Sequence, residues 1–290
     1  NRALSYVDPM MKYKDAAEGI GFYEFIKKLD KNFDSNAELL VNQLVRTQMC
    51  IFRKENLTLS LTGEFNFKSL LEGEMLQFNR MLYKMPCVKA VPSFNMEKKN
   101  EGFKTASKVQ YVASGGCFEK EGQEYTGALK VLKTIFSYDY LWVNVRVTGG
   151  AYGCMCNFSR NGYGFFTSYR DPNLSATLDV YKKAADYVRN FEAGQRDMTK
   201  YIIGTISGID QPLEPVALGE RSFHAYQSGI TIEMIQKERN QVLDATEETI
   251  RSLADYIEAM MDAETVCAIG NDRKLEEEKE IFKQVSSLTQ

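Results

Sequence analysis

Apolar positions recur at helical spacing through most of the chain and alternate in only a few short stretches. Residues 15–48 carry two helix-like segments, with Ser35 and Glu38 placed as the N-cap and capping-box partner of the second. From Cys50 to Glu64, Ile51, Leu57, Leu59 and Leu61 fall among polar residues as they would on a strand. Leu70, Leu71, Met75, Phe78 and Leu82 then form the apolar stripe of a further helix. Residues 85–105 hold two prolines, several lysines and no period, and read as the main internal linker.

Beyond the linker, residues 107–118 predict a strand and residues 126–146 one long helix ending at Gly149-Gly150. Two strands follow, at 151–159 and 162–170, joined by Arg160-Asn161-Gly162. Asn-Gly is a strong hairpin signal because both residues tolerate positive φ. Helices are expected at 174–192, 196–210, 214–228, 231–243 and 246–261. A short strand, TVCAIG, and a charged helix over 272–285 close the pattern. One hairpin with helices segregated from the strands predicts an α+β fold, a mixed sheet with helices packed on one side. No repeat appears at solenoid periods.

Composition excludes more than it identifies. The 290 residues are 44% hydrophobic and 26% charged, an ordinary globular balance. A formal net charge of -3 leaves no basic field for nucleic acid, and no apolar run reaches the ~20 residues that span a bilayer. No nucleic-acid or membrane partner is therefore expected. The first residues, NRALSYVDPMMKYKD, carry no apolar signal core and read as cut from something longer. Six cysteines (Cys50, Cys87, Cys117, Cys154, Cys156, Cys267) are too sparse for a disulfide scaffold and read as reduced thiols. The sequons at Asn56, Asn157 and Asn173 carry little weight, since Asn157 falls within a strand.

Catalytic motifs are chiefly absent. The single histidine, His224, cannot build H-x-x-E-H or H-E-x-x-H, and it reads as a surface or partly packed helix residue. Cys154 and Cys156 share a strand face and read as small packing residues rather than ligands. Gly63, Lys68 and Ser69 resemble a phosphate loop but lack the glycine before the lysine. Gly149-Gly150 follows a helix, so by itself it is a helix C-cap.

The segment 146–173, RVTGGAYGCMCNFSRNGYGFFTSYRDPN, is the informative one. Arg146, Gly149, Gly150, Ala151, Tyr152 and Gly153, followed by Ser168, Tyr169, Arg170, Asp171, Pro172 and Asn173, closely resemble the C-terminal half of the pitrilysin/insulinase zinc peptidases. The likeness is to the presequence-protease (falcilysin-like) branch. TISGIDQPLEPVALGERSFHAYQSG further on is similar to the same branch, whereas Thr148 stands where a charged residue is frequent. The resemblance covers residues 46–290 and implies a C-terminal α+β peptidase domain; residues 1–45 then belong to the helical tail of a preceding domain.

By this resemblance the chain is the substrate-binding part of a zinc metalloendopeptidase that degrades unstructured peptides in a closed chamber. Its partners are the peptide and the N-terminal catalytic half, which carries the zinc. The chain itself holds no cofactor and is inactive alone. Arg146 and Tyr152 are the implied substrate and transition-state contacts: a guanidinium can grip a substrate carbonyl, and a phenol can donate to an oxyanion. Each residue also has a plain structural role available, Arg146 as a cation at a helix C-terminus and Tyr152 as a strand aromatic. Gly149, Gly150, Arg170 and Asp171 are read as structural support, with Arg170 ion-paired and Asp171 or Asn173 capping the next helix. A stand-alone non-catalytic subunit or binding module of the same fold is the alternative. The bacterial cytoplasm is the expected location, with an organelle matrix as the second.

Overall fold

The computed structural model describes residues 1–64, 67–84, 93–119 and 123–288. In chain order the helices are α1 (Pro9–Glu18), α2 (Ile20–Lys31), α3 (Phe33–Ile51), α4 (Phe67–Glu72) and α5 (Glu74–Met81). Strands β1 (Glu101–Thr105) and β2 (Gln110–Cys117) follow, then α6 (Ala128–Ile135), β3 (Gly153–Phe158) and β4 (Tyr163–Asp171). Helices α7 (Ser175–Lys182), α8 (Ala184–Arg189), α9 (Gln195–Ile209), α10 (Pro215–Gln227), α11 (Ile232–Leu243), α12 (Glu247–Arg251) and α13 (Ala254–Asp262) come next. The chain closes with β5 (Thr265–Asn271), α14 (Asp272–Glu277) and β6 (Gln284–Ser287). No described helix is long and apolar enough to cross a membrane.

Contacts divide the chain into two units. The first comprises Asn1–Phe22, Phe94–Gln211 and Glu233–Gln290; the second comprises Tyr23–Ser93 and Pro212–Ile232. The first unit is built on a mixed six-stranded sheet, ordered β3-β4-β2-β5-β1-β6. β3, β4, β2 and β5 pair antiparallel, whereas β1 lies parallel to both β5 and β6. One face carries the main core, including Val112, Phe166 and Ala268 together with Leu129, Leu132, Ile135, Phe136, Tyr181, Ile250 and Ile257. This is the α+β mixed sheet with a packed helical layer that the residue pattern predicts.

The other face is identified by the strand period, because the neighbours of Ala268, Cys267 and Ile269, must point away from that core. There Cys267, Phe103 and Ala3 form a second apolar cluster, with Ile20, Ala113 and Ile269 packed against it. An ion network ties the segment down. Arg2 donates to both oxygens of Glu101, at 2.6 and 2.9 Å, and to Asp15 Oδ2 at 2.6 Å. The Tyr6 hydroxyl donates to Glu101 Oε2 at 2.8 Å. Burial works against the Glu101 charge, but the bonds from Arg2 and Tyr6 outweigh it and hold the carboxyl below the ordinary range.

Several local expectations change. Asn32, not Ser35, precedes α3; Ser35 lies inside the helix and its hydroxyl donates back to the Asn32 carbonyl at 3.0 Å. The alternating 57–62 segment in the second unit belongs to no strand, since it has no ladder partner among the described residues. Of the expected linker, residues 85–92, with Cys87, lie outside the described residues, and so does the side chain of Leu70. Its last five residues are β1, flanked by strands on both sides and buried on both faces at Gly102 and Phe103; such strands lack alternation. The last helix ends at Glu277, and Gln284–Ser287 pairs with β1 instead. The β3–β4 turn uses positive φ only at Gly162 (+81°), as a three-residue loop requires.

Breaking a buried ion network by removing one partner leaves an uncompensated charge. Arg2→Met is expected to destabilise the first unit by about 3–5 kcal/mol in urea unfolding; a loss below about 1 kcal/mol would show that the network contributes nothing net. Because the Glu101 carboxyl is held low, its stabilisation is present above about pH 4.3, the ordinary glutamate value. It should be lost as pH falls below that, and Glu101→Gln should flatten this acid limb of the stability profile.

Candidate functional site

The helix begun by α6 continues as two wider, π-helical stretches, Phe136–Tyr140 and Trp142–Thr148. Val145 is buried in the core, which turns Trp142 and Arg146 outward on a shared face, four residues apart. The Arg146 guanidinium carbon lies 3.9 Å from the centre of the Trp142 ring, a close cation–π stack.

The helix then stops sharply. Gly150 N–H donates to the Arg146 carbonyl at 3.0 Å, the bond of an αL cap, and Ala151 N–H reaches back to the Val145 carbonyl at 3.1 Å. Gly150 has φ +80°, and a Cβ on Gly149 would stand 2.6 Å from the Val145 carbonyl oxygen, so both positions need glycine. Ala151 is buried. Tyr152 emerges directly after it, with 66% of the residue exposed and its side chain outside the core.

The end of β4 completes the arrangement. Tyr152 N–H donates to the Arg170 carbonyl at 3.3 Å. The Arg170 guanidinium sits 5.8 and 5.5 Å from the ring centres of Tyr152 and Tyr169. Tyr169 meets Tyr152 edge-on at 5.9 Å and Tyr111 at 5.2 Å. The expected ion pair of Arg170 is thus corrected: among the described residues it has no carboxylate partner and is held by rings. Its neighbour Asp171 turns inward, fully buried, and accepts from Asn173 N–H at 2.8 Å and the Thr177 hydroxyl at 2.7 Å. Arg170 itself takes φ +50°, an uncommon backbone for a non-glycine residue.

Asn173 in turn donates its side-chain amide to the Gly149 carbonyl at 2.6 Å. The chain Asp171–Asn173–Gly149 therefore fastens the hairpin's exit to the helix's end, at the turn that separates Arg146 from Tyr152. Cys154, one strand step beyond Tyr152, is pushed up to about 11 by burial, with the Arg146 charge acting in the opposite sense. Cys156 is pushed up to about 12 by burial. Such thiols are poor ligands and poor nucleophiles at neutral pH. His224 is exposed on α10. Among the described residues no three His, Cys, Asp or Glu side chains come together as a metal site.

Neither Trp142 nor Tyr111 is singled out by the sequence motifs, and Tyr169 is so only as part of the block 168–173. A tryptophan four residues before Arg146 was a readable signal, whereas the Tyr111–Tyr169 contact arises only from strand pairing.

A mixed sheet of this kind is shared with a protease from Helicobacter pylori, at a TM-score of 0.51 and 14% identity over 72% of this chain and 53% of that one. The PreP C-terminal domain family matches residues 100–271, and the chain belongs to that family. Protein HypA of Clostridium perfringens is 37% identical over 99% of this chain, and presequence protease 1 of Arabidopsis thaliana is 29% identical over 87%. The chain spans 29% and 24% of the lengths of these two relatives.

Asn173→Ala removes the amide that ties the hairpin to the helix end. It should cost about 1 kcal/mol in chemical denaturation, the usual worth of one hydrogen bond, and should alter the emission of Trp142, the chain's single tryptophan. Unchanged stability and emission would show that the clamp positions nothing.

Proposed function

We propose that this chain is the substrate-gripping region of a zinc metalloendopeptidase of the insulinase family, acting on unstructured peptides inside a closed chamber. The longer protein's N-terminal half is its partner and carries the zinc and the general base. This chain's own donors do not fit a catalytic zinc, since its one histidine stands alone on α10 and its thiols are buried or scattered. No cofactor is assigned to it.

The observation that carries this reading is the exposure of Tyr152 just after a helix end that carries Arg146 and is stiffened by an αL cap and the Asn173 clamp. An aromatic that served the core would be buried, and this one is not. Arg146, pre-oriented by Trp142, would hold a peptide carbonyl through its planar donors. The Tyr152 hydroxyl would donate to the oxygen that gains charge when the scissile carbonyl becomes tetrahedral. Tyr169, Tyr111 and Arg170 extend the same surface and would flank the bound strand.

In the longer protein, Tyr152→Phe is expected to lower turnover about 100- to 1,000-fold, the usual loss for one oxyanion donor. Arg146→Ala should lower kcat/KM at least as severely while leaving thermal unfolding within normal surface-variant limits. Wild-type turnover in the Tyr152→Phe enzyme would return both residues to a purely structural role.

A further inference from the structure

A second concave surface lies on the helical layer, where the first π-helical stretch, the end of α8 and the helix α9 meet. It encloses about 680 Å³, within the range of small-ligand pockets and far larger than a single ion needs. Its wall is a continuous row of rings. Tyr187 stacks on Tyr140 at 4.6 Å and meets Phe191 edge-on at 6.1 Å, and Phe191 lies 6.3 Å from Tyr201. Tyr138 stands at the rim with 69% of its surface exposed.

Two carboxylates face this aromatic wall. The Tyr201 hydroxyl donates to Asp139 Oδ2, which fixes one carboxylate oxygen and leaves Oδ1 for another donor. Glu192 stands beside Phe191 on the same lining. Neither acid has a lysine or arginine within ion-pairing distance among the described residues. The one lysine of the lining, Lys200, is taken by Asp197 at 2.6 Å. The lining thus carries three acids against one base. Burial raises the pKa of both Tyr187 and Tyr201, with Asp139 adding to it, so both phenols remain neutral.

We propose that this cavity binds the guanidinium or ammonium group of a basic side chain on a peptide. Ring faces attract cations through their quadrupole, and the attraction strengthens where water is partly excluded. Two carboxylates supply charge and acceptors that no cation among the described residues uses. A metal ion fits poorly, because the described residues bring no three such ligands together and the space is too large. The cavity opens to solvent, so a side chain still attached to its peptide can enter. Asp139 sits within a π-helical turn, a feature that recurs at functional sites.

The test measures binding and needs no hydrolysis, so its failure is separable from failure of the reading for Arg146 and Tyr152. An unstructured peptide with one arginine is titrated into the full chain at low salt, beside the same peptide carrying citrulline, which keeps the shape and loses the charge. The arginine peptide should bind at least about tenfold more tightly, as a hydrogen bond to a charged group implies. Asp139→Asn keeps an acceptor for Tyr201, and together with Glu192→Gln it should erase the preference for arginine. Glu192→Gln alone lies on an exposed side chain and should reduce the preference several-fold, which decides the matter if the Asp139 variant fails to fold. Equal affinity for the two peptides, or a preference untouched by Glu192→Gln in a folded protein, would overturn the proposal.

Discussion

The helix from Ala128 to Thr148 must keep one apolar face on the sheet for its whole length, and both candidate sites follow from how it does so. Leu129, Leu132, Ile135 and Phe136 are fully buried at ordinary helical spacing, but the next fully buried residue is Leu141, five positions on. A regular α-helix would carry position 139 or 140 inward. The wider turn over Phe136–Tyr140 absorbs the extra residue, so the buried face resumes at Leu141 and Val145. Each such side chain contributes about 1.5–3 kcal/mol by leaving water, enough to favour the less regular turn over an exposed leucine. The same phase shift brings Asp139 into the lining of the aromatic cavity and sends Arg146 onto Trp142.

The sheet supplies the second constraint. Its helical face is closed by a continuous core, while its other face carries the Phe103–Cys267 cluster and the tyrosines Tyr111 and Tyr169. The cluster holds the N-terminal segment through apolar contact and the charged triad of Arg2, Asp15 and Glu101. A triad of this kind adds little net energy over an apolar substitute, because desolvation offsets attraction. Its value lies in register, since only one docking position satisfies all three charges. The tyrosine end of the face stays open and carries arginine in place of further apolar cover.

The Arg146–Tyr152 corner shows how local chemistry and tertiary contact divide the labour. The diglycine ends the helix because only glycine tolerates the cap, and that much is intrinsic to the residues. The angle at which Tyr152 leaves depends on Asn173, which bonds Gly149 from 24 residues along the chain, and on the buried Asp171 that shapes the turn around it. Arg170 shows the limit of reading by residue type. An arginine before an aspartate suggests an ion pair, yet the aspartate is satisfied by backbone and threonine and the arginine settles on rings.

Hydrophobic period and turn chemistry by themselves determined the α+β class, the β3–β4 hairpin and most helices. These follow from local geometry, which residues encode at short range. Strand β1 and the closing strand β6 were hidden because each is defined by a partner far along the chain, and a strand buried on both faces leaves no alternation to read. The segment at 57–62 failed in the opposite way, with the alternation of a strand and no ladder partner among the described residues. The aromatic cavity was equally invisible, since Asp139, Phe191 and Tyr201 meet only when α8 and α9 pack beside the widened helix. Side-chain chemistry is a property of the sequence, but the distance between two side chains is settled only by the packing of the elements that carry them.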